Sequence, residues 1–179
     1  MANPVRWACL CLLLTVMSLA SADWRTALPT AQPLGEGDFT WFGLRLYSAR
    51  LWTVGPAQDW NQPFALELLY HRTMSRETLV QASLEEMRRM GSGSVTEQHL
   101  AAWTKAMDEA FVDVRPGMRI TGLYLPGKGC RFYVDGKLSR EIADPVFARA
   151  FFSIWLGPQA RDSQLRQRLL DLADNDQGT

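Results

Sequence analysis

Residues 144–157 read DPVFARAFFSIWLG, and their reading decides the fold class. Asp144 is placed to accept the free N–H groups of a first helical turn, Pro145 suits the first helical position, and Gly157-Pro158 stops the helix. Between these ends Val146, Phe147, Ala150, Phe151, Ile154 and Trp155 recur at three- and four-residue spacing, and Phe152 widens the apolar stripe beyond what a surface helix needs. Such a helix has to be covered by other structure.

The segments on either side supply that cover. Immediately upstream, Arg119 to Leu125, Cys130 to Val134 and Lys137 to Ile142 alternate as strands, separated by Pro126-Gly127-Lys128-Gly129 and by Asp135-Gly136. Asp-Gly between such runs is a strong two-residue hairpin signal, so the region reads as a three-stranded antiparallel meander feeding directly into the helix. Downstream, Leu165, Leu169, Leu170 and Leu172 mark a final amphipathic helix before a polar tail.

Farther upstream two helices are expected. Ser75 caps one that runs to about Met90, with Leu79, Val80, Leu84 and Met87 on one face. After Gly91-Ser92-Gly93, Ser94-Val95-Thr96-Glu97 has capping-box spacing and opens a second, whose apolar face is Leu100, Trp103, Met107, Ala110 and Phe111. Both are expected to lie side by side against the sheet. Before them, Phe64 to Arg72 alternates as a half-buried strand. The aromatic-rich run from Phe39 to Trp52 reads as one or two strands, broken or bulged near Gly43 and apolar on both faces, as in a central strand. Residues 23–37, rich in Pro, Gly and Ala, predict an edge strand at most, with Gly35-Glu36-Gly37 as a turn. The order of strands, paired helices, meander and closing helices is an α+β layout in one domain, residues 23–179.

Residues 1–22 are expected to be a signal peptide. Arg6 precedes an apolar run from Trp7 to Leu19 that ends in Ala20-Ser21-Ala22, a small-x-small cleavage pattern, so the mature chain is expected to begin at Asp23 and to have no membrane span. Removing the leader takes Cys9 and Cys11 with it, leaves Cys130 as a lone thiol and rules out an internal disulfide. The balance of 19 basic and 19 acidic residues carries no nucleic-acid footprint.

Chemistry-bearing patterns are scarce. His71 and His99 have no Cys, Asp or Glu at metal-ligand spacing, the serines lack a nucleophile motif, and the glycines form no phosphate loop before a helix, so no catalytic residue, metal or cofactor is expected. Glu85-Glu86 and Arg88-Arg89 read as a solvated helix face. What remains is a lining argument. Arg45, Tyr47, Tyr70 and Arg72 beside apolar strand positions would form an apolar slot with a few donors at one end, suited to a small apolar or carboxylate-bearing ligand.

Three segments carry a resemblance: GEGDFTWFGLRLYSARLW, LELLYHRTMSRETLVQ and, most specifically, YVDGKLSREIADPVFARAFFSIWLG followed by the Leu-rich helix. Over residues 34–172 the chain resembles the chalcone isomerase-like superfamily in its version exported by bacteria. The resemblance implies an open-faced β-sandwich, a large antiparallel sheet with a helical layer, and a periplasmic location. The plant enzymes close chalcones to flavanones with an active-site Arg after a Gly-rich turn. Here Asp38-Phe39-Thr40 follow that turn, Tyr47 stands at the position of the family's Thr and Met74 at that of its Tyr, while Gln81 falls roughly where the enzymes have an Asn. Other relatives hold fatty acids in the same cleft through an Arg and a Tyr. The resemblance therefore implies a non-catalytic carrier of a small apolar acid, with Arg45, Tyr47, Tyr70, Arg72 and Gln81 as candidate ligand residues. The alternatives are an intramolecular lyase and a structural domain with a filled core.

Overall fold

The computed structural model of the chain describes residues 23–91 and 95–172. The expected signal peptide, Ser92 to Ser94 and the polar tail lie outside these residues. Six strands, β1 (Gln32–Trp41), β2 (Leu44–Thr53), β3 (Phe64–Tyr70), β4 (Arg119–Leu125), β5 (Gly129–Val134) and β6 (Lys137–Ile142), form one antiparallel sheet in sequence order. On one face pack α2 (Arg76–Met90), α3 (Glu97–Ala110), α4 (Pro145–Leu156) and α5 (Ser163–Leu169). The short α1 (Trp24–Ala27) lies on the other face, where Trp24 and Leu28 are buried with Ala65, Leu123 and Tyr133. The result is the α+β arrangement of an open sheet under a helical layer.

The α4 stretch behaves as its sequence demands. Asp144 accepts from the backbone N–H groups of Val146 and Phe147 at 2.9 Å, and its second oxygen accepts from Trp103 Nε1 at 2.9 Å, tying the cap to α3. Phe147, Phe151 and Phe152 are buried against Phe132, Phe64 and Tyr124 through edge-to-face contacts, and Trp155 packs edge-on against Phe151. Asp135 and Gly136 both have positive φ, as a two-residue hairpin requires.

Three expectations are corrected and a fourth, the break near Gly43, takes a definite form. Gly35-Glu36-Gly37 is no turn but lies within β1, and the glycines are there because α5 crosses the strand closely. A Cβ on Gly35 would stand 2.0 Å from the carbonyl oxygen of Arg168, and one on Gly37 would stand 2.8 Å from Leu165 Cδ1. The expected break near Gly43 is present as a hairpin turn at Phe42-Gly43, and the nearer of the two pairing irregularities between β1 and β2 falls between Phe39 and Thr40, at Leu46. The cap of α3 is Thr96, which accepts from the backbone of His99 while the His99 ring accepts from the Thr96 N–H. β2 is next to the edge, not central, and its outer face exposes Arg50.

Candidate functional site

A cavity of about 340 Å³ lies between the sheet and helices α2, α4 and α5. Its floor is apolar: Leu66, Leu68, Ile120 and Gly122 of the sheet, with Phe151 and Phe152 of α4. Gly122 makes room for the Phe152 ring, since a Cβ there would stand 2.8 Å from Phe152 Cζ. Two phenols stand side by side in the wall, because β2 and β3 pair Tyr47 with Tyr70, ring centroids 5.9 Å apart.

The two hydroxyls differ in their engagement. Tyr47 accepts a hydrogen bond from Trp155 Nε1 at 3.0 Å, leaving its own O–H free to donate. Tyr70 is only 4% exposed, and its hydroxyl has no partner among the described residues. Among the described residues the sealed, unpartnered side-chain polar atoms are Trp52 Nε1 and Gln58 Nε2, so the Tyr70 oxygen opens onto the cavity. Burial drives both phenol pKa values far up, and for Tyr47 the Asp162 and Glu86 carboxylates add to it against the Trp155 hydrogen bond. Both groups are therefore neutral hydrogen-bond donors at any physiological pH.

The polar rim is built from α2 and the loop between α4 and α5. Arg161 meets Glu86 at 2.5 Å and Glu85 at 3.5 Å, and Glu86 also binds Arg89 at 2.7 Å. Arg89 in turn donates to the Gln159 carbonyl at 2.9 Å, clamping this loop to α2. The Glu85-Glu86 pair, expected on a solvated face, thus forms part of the cavity rim, with Glu86 half-buried. Among the described residues Arg161 is the one cation in the lining, and it is already paired.

Of the five candidates, Tyr47 and Tyr70 are brought together in the cavity and three are not. The pairing irregularity opposite Leu46 turns Leu46 into the lining with Tyr47 and sends Arg45 to Asp38, at 3.2 Å. Asp38 also accepts from Ser48 Oγ at 2.6 Å, and Ser48 lies 2.7 Å from His71 Nε2. That serine hydrogen bond, ahead of Arg45, holds the Asp38 carboxyl below its usual range. Arg72 is exposed just beyond the end of β3. Gln81 lines a separate surface depression with Arg76, Asp108 and Asp113. Of the lining residues outside the five candidates, Phe39, Trp41 and Trp155 were visible as strand aromatics and part of a helix stripe and Met74 as the position of the family's Tyr, but nothing local marked which of them face empty space.

The family model described as chalcone isomerase-like matches residues 44–171. The chain belongs to the chalcone isomerase-like family. No curated protein sequence matches this family member. Among solved structures it is similar to the crystal structure of a fatty-acid binding protein from Arabidopsis thaliana, with a TM-score of 0.64 and 13% identity over 80% of this chain and 88% of that one. At that identity the likeness shows the fold alone, and the shared fold is the open sheet with its helical layer.

Proposed function

We propose that this chalcone isomerase-like protein is a non-catalytic binder of a small apolar molecule whose acceptor head group is held by the Tyr47 and Tyr70 hydroxyls. The observation that carries the reading is the pair of neutral phenol donors, one of them unpartnered, in the wall of an apolar cavity. The volume, about 340 Å³, falls at the small end of ligand pockets, in keeping with a fatty acid of modest length or a compact ring system. A filled structural core would have no such space. The fatty-acid binding described for the Arabidopsis protein of the same fold supports the ligand class.

Cyclisation of a chalcone finds less support. The position at which the resemblance places the enzymes' Arg holds Asp38, engaged by Ser48 and Arg45 away from the lining, and the lining's one cation is neutralised by Glu85 and Glu86. A developing phenolate would lack the charge stabilisation such a step relies on. We further propose that residues 1–22 direct export to a bacterial periplasm and are removed after Ala22, on the strength of the charged start, apolar run and small-residue end.

Native mass spectrometry tests both proposals on protein recovered without detergent from cells that export it. The expected spectrum has a polypeptide beginning at Asp23 and carrying one discrete adduct that is lost on denaturation. A bare polypeptide after incubation with fatty acids and flavonoids would overturn the binding reading.

A further inference from the structure

The β1–β2 hairpin ends in a tip whose chemistry suits neither a turn nor water. Trp41 is 46% exposed, Phe42 89% and Leu44 51%. Phe42 and Gly43 both have positive φ, the geometry that favours Asn-Gly or Asp-Gly and disfavours a bulky aromatic at the first position. The exposed aromatics also continue inward. Phe42 meets Trp41 at 5.1 Å between ring centroids, Trp41 meets Phe39 at 6.5 Å, Phe39 stacks on Tyr47 at 5.0 Å, and Tyr47 meets Tyr70. Phe39 and Trp41 both line the cavity, so one aromatic row joins the solvent-exposed tip to the two phenols.

Two exposed arginines, Arg72 and Arg115, stand at this end of the sheet. The His71 N–H bonds the Leu46 carbonyl, which places Arg72 beside the tip, and the turn carrying Arg115 bonds both backbone groups of Tyr70 through Gly117 and Met118. Arg72 and Arg115 are exposed and make no ion pair among the described residues, while Arg45 is held by Asp38. Of the carboxylates on these segments, Asp38 is bound to Arg45 and Ser48, and Asp113 accepts the Arg76 backbone N–H. No helix among the described residues is long and apolar enough to cross a membrane, so any lipid contact made by these residues is peripheral.

We propose that this tip docks on a bilayer surface bearing anionic headgroups, with Trp41, Phe42 and Leu44 entering the interface and Arg72 and Arg115 facing the headgroups. Aromatic side chains beside basic ones are the composition that binds such an interface. The aromatic row then gives a lipid-derived ligand a continuous apolar path from bilayer to cavity. That second half rests on the binding function proposed above, whereas the docking does not.

The test is vesicle co-sedimentation of the exported protein, parent and variants in the same N-terminal form, with phosphatidylcholine vesicles with and without phosphatidylglycerol. Phe42→Asn is the decisive variant, because Asn-Gly suits the turn and the fold is expected to keep or raise its thermal stability. Its partition onto anionic vesicles is expected to fall about tenfold, the scale of one Phe side chain removed from water, with Phe42→Leu retaining most of it. Reversing Arg72 and Arg115 to Glu is expected to cost at least about fivefold each, on anionic vesicles alone. None of these residues lines the cavity, so loading of a fluorescent fatty-acid probe without vesicles is expected to be unchanged. Equal partition of parent and Phe42→Asn, or a variant that alters self-association with no change in partition, would overturn the docking. Docking with no probe uptake would retain the surface and overturn only the hand-over.

Discussion

Removing the two cavity hydroxyls one at a time should affect stability differently and ligand binding alike. In Tyr47→Phe the Trp155 indole N–H, 3.0 Å from the phenol oxygen in a residue 9% exposed, loses its acceptor. The cost is about 1 kcal/mol if water reaches the indole, rising to about 3 kcal/mol if it stays dry. In Tyr70→Phe the deleted hydroxyl has no partner among the described residues, so its removal relieves a polar group in an apolar wall. The change is expected to lie between neutral and about 1 kcal/mol stabilising. Each variant gives up one hydrogen bond to the ligand head, about tenfold in affinity for a neutral head and up to about a hundredfold for a carboxylate. Urea unfolding with isothermal titration of dodecanoate separates the two effects. Tyr70→Phe as destabilised as Tyr47→Phe, with dodecanoate affinity unaltered, would show that the hydroxyls serve the fold and would refute the anchoring argument.

Other perturbations test the frame around the site. Gly35→Ala drives a Cβ into the Arg168 and Leu169 carbonyls at 2.0 and 2.7 Å, both backbone atoms, and is expected to destabilise by more than about 2 kcal/mol in chemical unfolding. Asp144→Ala strips two cap bonds from α4 and orphans the Trp103 indole, costing roughly 2–4 kcal/mol by the same measurement, with Asn recovering part of it. Asp38 titrates below its ordinary 3.8 in the folded chain, so its contribution is present above that value and is lost as pH falls through the lowered one. Ser48→Ala removes the largest cause, so the carboxyl should move back up in an NMR titration and the acid limb of the stability curve should become less steep; an unchanged titration would contradict the assignment.

What was legible in the sequence followed from local rules. The α4 caps, the Asp135-Gly136 turn and the alternation of β4 to β6 each need only a few neighbouring residues, and all appear as expected. Gly35 to Gly37 misled because glycine signals a turn and a close backbone approach equally, and the partner, α5, lies far along the chain. The site divided in the same way. Tyr47 and Tyr70 share the face that alternation assigns them, but a single bulge opposite Leu46 moved Arg45 to the other side, and a one-residue slip of that kind leaves no compositional trace. Glu86 and Arg161 join the rim through a contact between α2 and a loop 75 residues later, which no local pattern encodes.

The two hairpins make the sharpest comparison within the molecule. Both turns place two consecutive residues at positive φ, Asp135-Gly136 at 46° and 80° and Phe42-Gly43 at 48° and 75°. The first carries the residues this geometry favours. The second sets a phenylalanine in a left-handed conformation, which costs about 1 kcal/mol, and leaves it almost wholly in water, where it recovers little beyond an edge-on contact with Trp41. The cavity is a second departure from what folding alone would select, since a filled interior is more stable than a lined void. Both departures fall at the same end of the sheet and are joined by the Trp41–Phe39–Tyr47 row. A fold optimised only for its own stability would place Asn at position 42 and fill the space beside Tyr70. That neither is done, and that the two sites touch, argues for a shared purpose in moving an apolar molecule between surface and interior.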